Sequence, residues 1–302
     1  MPEKQKAIGL IGLGDMGKNI AQRLHDAGYF LVLYDRTDAK YGQFSGMDRK
    51  HLSSDVADLA KKLRELGETA NVWIMVPAGS ATNSLASELS GLLRNGDIVI
   101  DGSNSAYTDS IENSKRLKEK GIFYLDLGCA GGPSDLQKGV ALMVGGEKLA
   151  FERAEDIFRV VSGNGTYGYL GQSGSGHMAK MVHNGIFYGI FPVYAEGVEL
   201  LLSMKEKGNS DLDINEAMRL LKSSPPITTD ILNAMSDVMG ADQLPKDAPE
   251  IKVSEIIRWE EKKASEMGVS FTATSAVLAA YQSMSERSRR IYAAAKKIIT
   301  GH

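Results

Sequence analysis

Ala7-Ile8-Gly9-Leu10-Ile11-Gly12-Leu13-Gly14-Asp15-Met16-Gly17 is the stretch on which the fold turns. The apolar run from Ala7 to Leu13 reads as a buried strand, and Gly14 to His25 carries apolar residues at helical spacing. At the junction Gly12, Gly14 and Gly17 form G-x-G-x-x-G. The first glycine permits a tight turn, the second lets backbone approach a pyrophosphate, and the third lets helix and strand pack closely, with the helix N-terminus facing the negative charge. A second strand, Leu31 to Tyr34, delivers Asp35 where a carboxylate takes the hydroxyls of an adenosine ribose.

Working outward, strand and helix patterns alternate: a helix at about Ser54 to Leu66, a strand Val72 to Val76 ending at Pro77, a helix Ala81 to Leu93, a strand Ile98 to Ile100, a helix near Thr108 to Lys120 and a strand near Phe123 to Leu127. Such alternation predicts an α/β fold with a mostly parallel, Rossmann-type sheet and helices on both faces. A turn and one more strand are expected between Gly131 and Gly146, then a helix from Leu149 to Val160. From Gly176 the pattern becomes long helices, about Gly176 to Lys205, Ile214 to Leu221, Thr228 to Met239, Val253 to Met267 and Thr272 to Ile299. Two domains follow, a dinucleotide-binding domain over 1–174 and an all-helical substrate and oligomerisation domain over 175–302. An arm of helices completes its core against a partner, so a homodimer or homotetramer is expected.

Composition removes other classes. Of 302 residues 35 are Lys or Arg and 38 Asp or Glu, a net charge of −3 without a basic block, which excludes a general nucleic-acid binder. Cys129 is the single cysteine and no Cys/His cluster has zinc spacing, so neither a disulfide nor a metal is expected, and the cytoplasm is the expected compartment. The N-terminus lacks a signal-peptide pattern, and the apolar segment Ile186 to Leu202 is interrupted by Tyr188, Glu196 and Glu199, reading as a buried helix rather than a membrane span.

The expected cofactor contacts are Gly12, Leu13, Gly14, Asp15, Met16, Gly17, Asp35, Arg36, Val76, Pro77 and Asn104. Asp35 repels the extra phosphate of NADP, whereas Arg36 either pairs with it or stacks on adenine, and NAD is expected in preference to NADP. The chemistry is expected on Gly176-His177-Met178-Ala179-Lys180-Met181-Val182-His183-Asn184-Gly185-Ile186-Phe187-Tyr188-Gly189. Lys180, His183, Asn184, Phe187 and Tyr188 share one helical face. Each interior glycine costs about 1 kcal/mol relative to alanine, a loss that close packing against backbone or a ligand explains.

The glycine turn, Asp101-Gly102-Ser103-Asn104-Ser105, Gly131-Gly132 and above all Gly176-His177…Lys180-Met181-Val182-His183-Asn184-Gly185-Ile186…Tyr188-Gly189 resemble the 6-phosphogluconate dehydrogenase family within the β-hydroxyacid dehydrogenases. The length and the Gly301-His302 tail are similar to its short form. The resemblance implies oxidation of 6-phosphogluconate or a close sugar acid, with Lys180 as base, catalytic Asn184, and substrate contacts from Asn104, Gly131, Gly132, His183, Tyr188 and, from a neighbouring subunit, His302. Arg287, Arg289 and Arg290 crowd a late helix, and Arg290 is the expected substrate-anion contact; Arg258-Trp259 resembles an Arg-Trp pair of the short enzymes. Two positions depart from the family. Phe187 stands where the family has the glutamate that protonates carbon after decarboxylation, and Ala130 where it has a serine. A non-decarboxylating hydroxyacid dehydrogenase or reductase is therefore the alternative, with a catalytically weak nucleotide-binding paralogue behind it.

Overall fold

The computed structural model describes residues 6–67, 69–133, 135–207, 211–224, 230–240, 258, 262, 265–266, 276, 279 and 281–300. The chain divides into two compact units, Met1–Lys180 and Met181–His302.

In the first unit, β1 (Ala7–Ile11), β2 (Phe30–Tyr34), β3 (Lys50–Leu52), β4 (Asn71–Ile74), β5 (Ile98–Asp101), β6 (Phe123–Ala130), β7 (Ala141–Gly146) and β8 (Thr166–Gly171) form one sheet. Its order is β3-β2-β1-β4-β5-β6-β7-β8. Every pair from β3 through β6 is parallel, β7 runs antiparallel to β6, and β8 is parallel to β7. The helices are α1 (Asp15–Asp26), α2 (Val56–Leu66), α3 (Ser80–Leu92), α4 (Tyr107–Lys118) and α5 (Lys148–Ser162). Alternate strand residues feed two cores, one on each face: Ile8, Leu10, Leu31 and Leu33 with α1 and α5, and Ile11, Val32, Val72 and Ile74 with α2 and α3. This is the predicted α/β architecture. The order reverses at β1, which lies between β2 and β4, and the crevice outside the strand ends at such a point is where these folds take ligands.

Two strands escaped the sequence reading. β3 is a three-residue edge strand of Lys-His-Leu, too short and exposed to show a pattern. β8, Thr-Tyr-Gly-Tyr-Leu-Gly, is half-exposed along its length, so its apolar residues do not alternate with polar ones.

The second unit contains most of α6 (Ser175–Lys207), with α7 (Ile214–Lys222), α8 (Asp230–Gly240) and α9 (Glu286–Thr300). Phe191, Ala195 and Val198 of α6 meet Met218, Met235, Ile291 and Tyr292 in its core. The single helix read from Thr272 to Ile299 is interrupted at 284–285. Ser285 Oγ accepts the Ser288 N–H at 3.0 Å, a helix-start cap that begins α9 afresh. The helix read from Val253 to Met267 lies largely outside the described residues. By length and mean hydropathy Ser175–Glu206 of α6 is apolar enough to cross a membrane, even with Tyr188, Glu196 and Glu199 in the run. Its Phe191 face is nevertheless committed to a protein core.

Candidate active site

The three glycines of the turn are needed for different reasons. Gly12 has φ +97°, and a Cβ there would stand 2.2 Å from Met75 O; one on Gly17 would stand 2.0 Å from Gly12 O. Both are required by the protein's own packing. A Cβ on Gly14 would meet nothing within 4 Å. Gly14 is also the N-cap of α1 and offers no side chain to its first amides. The space over Gly14 and an uncapped helix start are what an incoming pyrophosphate uses, so these residues fit a dinucleotide.

Asp35 follows β2 and is buried, at 8% exposure. Its carboxylate accepts the Leu13 N–H at 2.8 Å, the Thr37 N–H at 2.9 Å and the Lys40 ammonium at 2.9 Å. Burial opposes its charge, but these three donors outweigh burial and hold its pKa below the ordinary carboxylate value. Asp35 thus ties the glycine turn to β2, and Lys40, which the sequence reading passed over, sits against the very carboxylate expected at the ribose. Arg36 and Asp15 are exposed, Met16 packs on the core beneath α1, and Val76 and Pro77 leave the end of β4 beside Thr82, whose hydroxyl donates to Pro77 O at 3.0 Å.

Asn104 is exposed at the end of β5 on a loop held from below by Asp101. The fully buried Asp101 carboxylate accepts from Tyr124 Oη at 2.6 Å, Ser103 N at 2.9 Å and Ser105 Oγ at 3.2 Å. Gly131 has φ +137° and is exposed, whereas the Gly132 N–H already donates to Asp135 at 2.7 Å. The expected backbone contact at Gly132 is therefore occupied by a turn of the chain itself.

Lys180 lies in α6 against β6. Burial drives its ammonium from 10.5 down to about 8, a shift opposed by the neighbouring Cys129. That thiol is itself pushed up to about 11 by burial, so it remains protonated and is no nucleophile. A lysine poised near neutrality is a competent general base.

In the second unit His183 Nδ1 and Asn184 Oδ1 lie 3.2 Å apart. Asn184 is one helical turn beyond Lys180, on the same face. Phe187 stacks on His183 at 6.4 Å and meets Phe191 edge-on at 5.1 Å, and Phe191 meets Tyr292 at 5.1 Å. The Phe187 ring thus belongs to an aromatic ladder. Tyr188 receives the Tyr281 hydroxyl on its carbonyl at 2.6 Å, and the Lys296 ammonium stands 5.9 Å from its ring centre. Arg290 forms an ion pair with Glu286 of its own helix rather than standing ready for an anion, and Arg287 pairs with Glu206 at 3.0 Å. Arg258 is described only as a helical residue; Trp259 and His302 lie outside the described residues. The sequence reading also missed Asp126, a single carboxylate inside the apolar run of β6. A lone charge in a buried strand needs partners, and that is the signal by which it is found.

Residues 7–171 match the model of the NAD-binding domain of 6-phosphogluconate dehydrogenase. The chain is 37% identical over 213 residues to the NAD(+)-dependent, decarboxylating 6-phosphogluconate dehydrogenase of Haloferax volcanii, covering 70% of this chain and 68% of that one. To the decarboxylating enzyme of Synechococcus elongatus it is 34% identical over 309 residues, covering 97% of this chain and 64% of the other. Among solved structures, 6-phosphogluconate dehydrogenase of Plasmodium falciparum superposes with TM-score 0.79 at 26% identity, over 91% of this chain and 61% of that one. A 3-hydroxyisobutyrate dehydrogenase of Mycobacterium tuberculosis gives 0.73 at 17% identity, over 97% and 99%, a likeness of fold. Sheet, glycine turn and these relatives together define a nicotinamide-dependent hydroxyacid dehydrogenase. Within that class, the chain belongs to the 6-phosphogluconate dehydrogenase family.

Proposed function

We propose that the chain oxidises 6-phosphogluconate or a close sugar acid, with Lys180 as the base. The proposal is carried by Lys180, half-buried with its stem packed on Gly128 of β6 and its amine lowered by burial to about 8. A nicotinamide dinucleotide, its pyrophosphate held over Gly14 at the start of α1, would supply the acceptor for the hydride of the substrate C–H. Lys180 Nζ takes the hydroxyl proton, Asn184 and Asn104 orient the hydroxyacid, and the C–O bond becomes a carbonyl. Because the neutral amine is the active form, kcat/KM is expected to rise with pH along an acid limb near 8 and to level off above it, as a pH–rate profile will show.

The aromatic ladder around Phe187 favours a second reading, oxidation without loss of carbon dioxide. The β-keto acid formed by oxidation can release carbon dioxide, but the electron pair left on carbon then needs a proton that a phenyl ring cannot give. A panel of 6-phosphogluconate and unphosphorylated hydroxyacids, each with NAD and NADP, separates the readings when reduced cofactor and carbon dioxide are measured independently. Reduction with 6-phosphogluconate supports the proposal; cofactor binding without reduction by any member overturns it. Reduction without carbon dioxide assigns the non-decarboxylating reaction.

NAD is the preferred cofactor in this reading: the buried Asp35, tied to the glycine turn through the Leu13 N–H, is where such a turn would bring the adenosine ribose, and its carboxylate would repel an added phosphate. Lys40 and Arg36 beside it are the residues through which NADP would compete.

We also infer self-association through α6. Val182, Ile186, Gly189, Val193, Gly197, Leu200 and Met204 recur at intervals of four and three along one stripe, and Ile186, Val193 and Leu200 are 62%, 64% and 62% exposed. Two copies laid antiparallel about residue 191 place Val182 opposite Leu200 and Val193 opposite Gly189, so that the same stripe meets itself, as a two-fold interface requires. Val193→Asp is expected to halve the mass seen by light scattering at micromolar concentration; an unchanged mass would place the interface elsewhere.

A further inference from the structure

Asp126 stands fully buried in β6, where its Cα pairs with Asp101 of β5 and Gly145 of β7. Its Oδ1 accepts the Gly174 N–H at 2.7 Å and its Oδ2 accepts the His177 N–H at 2.9 Å. These donors flank the first turn of α6, where a helix leaves its amides unpaired and its dipole favours an anion. The same turn is seated directly on backbone. A Cβ on Gly145 would stand 2.7 Å from both Asp126 Oδ1 and Gly176 N, and one on Gly176 would stand 2.3 Å from Asp126 O and 2.5 Å from Met143 O. His177 adds a second tether, its Nδ1 lying 2.7 Å from Ser110 Oγ of α4.

Two residues farther along the same face of β6 is Gly128, and four residues along α6 from Gly176 is Lys180. A Cβ on Gly128 would stand 2.3 Å from Lys180 Cβ. Two strand residues advance about 6.6 Å and four helical residues about 6 Å, so helix and strand keep step. Asp126 underlies the first turn, Gly128 the stem of Lys180, and Ala130 follows at the strand end.

We propose that Asp126 is a positioning residue for the oxidation: its carboxylate locks the start of α6 in register on β6 and thereby sets where the Lys180 amine stands. This rests on the assignment of Lys180 as base. Released from the clamp, α6 shifts along β6 and the amine turns toward water, where it is more basic and misaligned. Cys129 on β6 acts on that amine, and the Cys129 thiol in turn feels Asp135 in the β6–β7 connection.

The test compares Asp126→Asn and Gly128→Ala with the unmodified chain and with Lys180→Met. The amide keeps the volume of Asp126 but presents only one acceptor to two donors. The Gly128 methyl leaves the carboxylate intact and displaces the lysine stem. Both variants are expected to move the acid limb of kcat/KM up by about one pH unit and to lower kcat at pH 7 about tenfold. Both should keep KM and cofactor Kd within about twofold and regain rate at high pH. Loss of folded protein alone lowers kcat without moving the limb, so a limb at its original pH in folded variants overturns the proposal. Should Asp126→Asn fail to fold, Asp126→Glu, which keeps the charge but misplaces both acceptors, decides by the same readout, with Gly128→Ala showing what a displaced lysine stem alone does to the limb. A Lys180→Met chain that still turns over removes the base assignment itself. An inactive Lys180→Met beside an unshifted Asp126→Asn removes only the role of Asp126.

Discussion

Lys180→Met is expected to lower kcat about a thousandfold or more at pH 8 while leaving the cofactor Kd within about twofold, since a general base contributes roughly 10²–10⁴ in rate. Methionine keeps an unbranched stem beside Gly128 without an amine to take the hydroxyl proton. The substitution should also stabilise the fold. Burial brings Lys180 from 10.5 to about 8 in the native state. The unfolded chain therefore binds the proton more tightly, and native stability rises with pH between those two values. Below 8 the native protein carries the full penalty, up to about 3 kcal/mol for such a displacement. Lys180→Met is thus expected to melt at higher temperature than the parent at pH 7 and to lose that advantage above pH 10. Steady-state kinetics, cofactor titration calorimetry and melting across pH check these together. Turnover near the parent rate, or a variant less stable at pH 7, would contradict the placement of the amine.

The second large effect separates the glycines of the turn. Gly14→Ala adds a methyl where nothing lies within 4 Å, at φ −68°, a conformation any residue adopts. Its stability is expected to stay within about 0.5 kcal/mol of the parent. Its cofactor affinity is expected to fall about 10- to 100-fold, because the methyl occupies the space of the pyrophosphate. Gly17→Ala places its methyl 2.0 Å from Gly12 O. It should lose about 3 kcal/mol or more of stability through overpacking, along with cofactor binding. Chemical denaturation and cofactor titration on both variants give the comparison. A Gly14→Ala chain that binds cofactor like the parent would mean that the pyrophosphate does not approach there.

Much of this was legible because it is local. The sequence Gly12-x-Gly14-x-x-Gly17 followed by Asp35 encodes a turn, a helix start and a strand end within one βαβ unit, and periodicity marked the helices wherever one face is buried. The edge strands β3 and β8 were not legible, since an exposed or half-exposed strand has no face to conceal and so no pattern to show. The break before α9 was encoded in Ser285, whose cap competes with a continuous helix, but the apolar spacing across it is unbroken enough to hide it.

The candidate site divides the same way. Lys180, Asn184 and Phe187 were readable as one helical face, because helical geometry follows from spacing alone. That Phe187 joins Phe191 and Tyr292, that Arg290 is paired with Glu286, that Gly132 donates to Asp135, and that Lys40 rests on Asp35 all depend on side-chain pairing that spacing does not prescribe. The sequence by itself determined the cofactor turn, the sheet's parallel character and the helix that carries the lysine, since each rests on short-range sterics and periodicity. Only the tertiary structure decided how basic that lysine is and where it stands. Its pKa comes from burial against β6, and its place from a carboxylate 54 residues earlier in the chain gripping the first turn of α6.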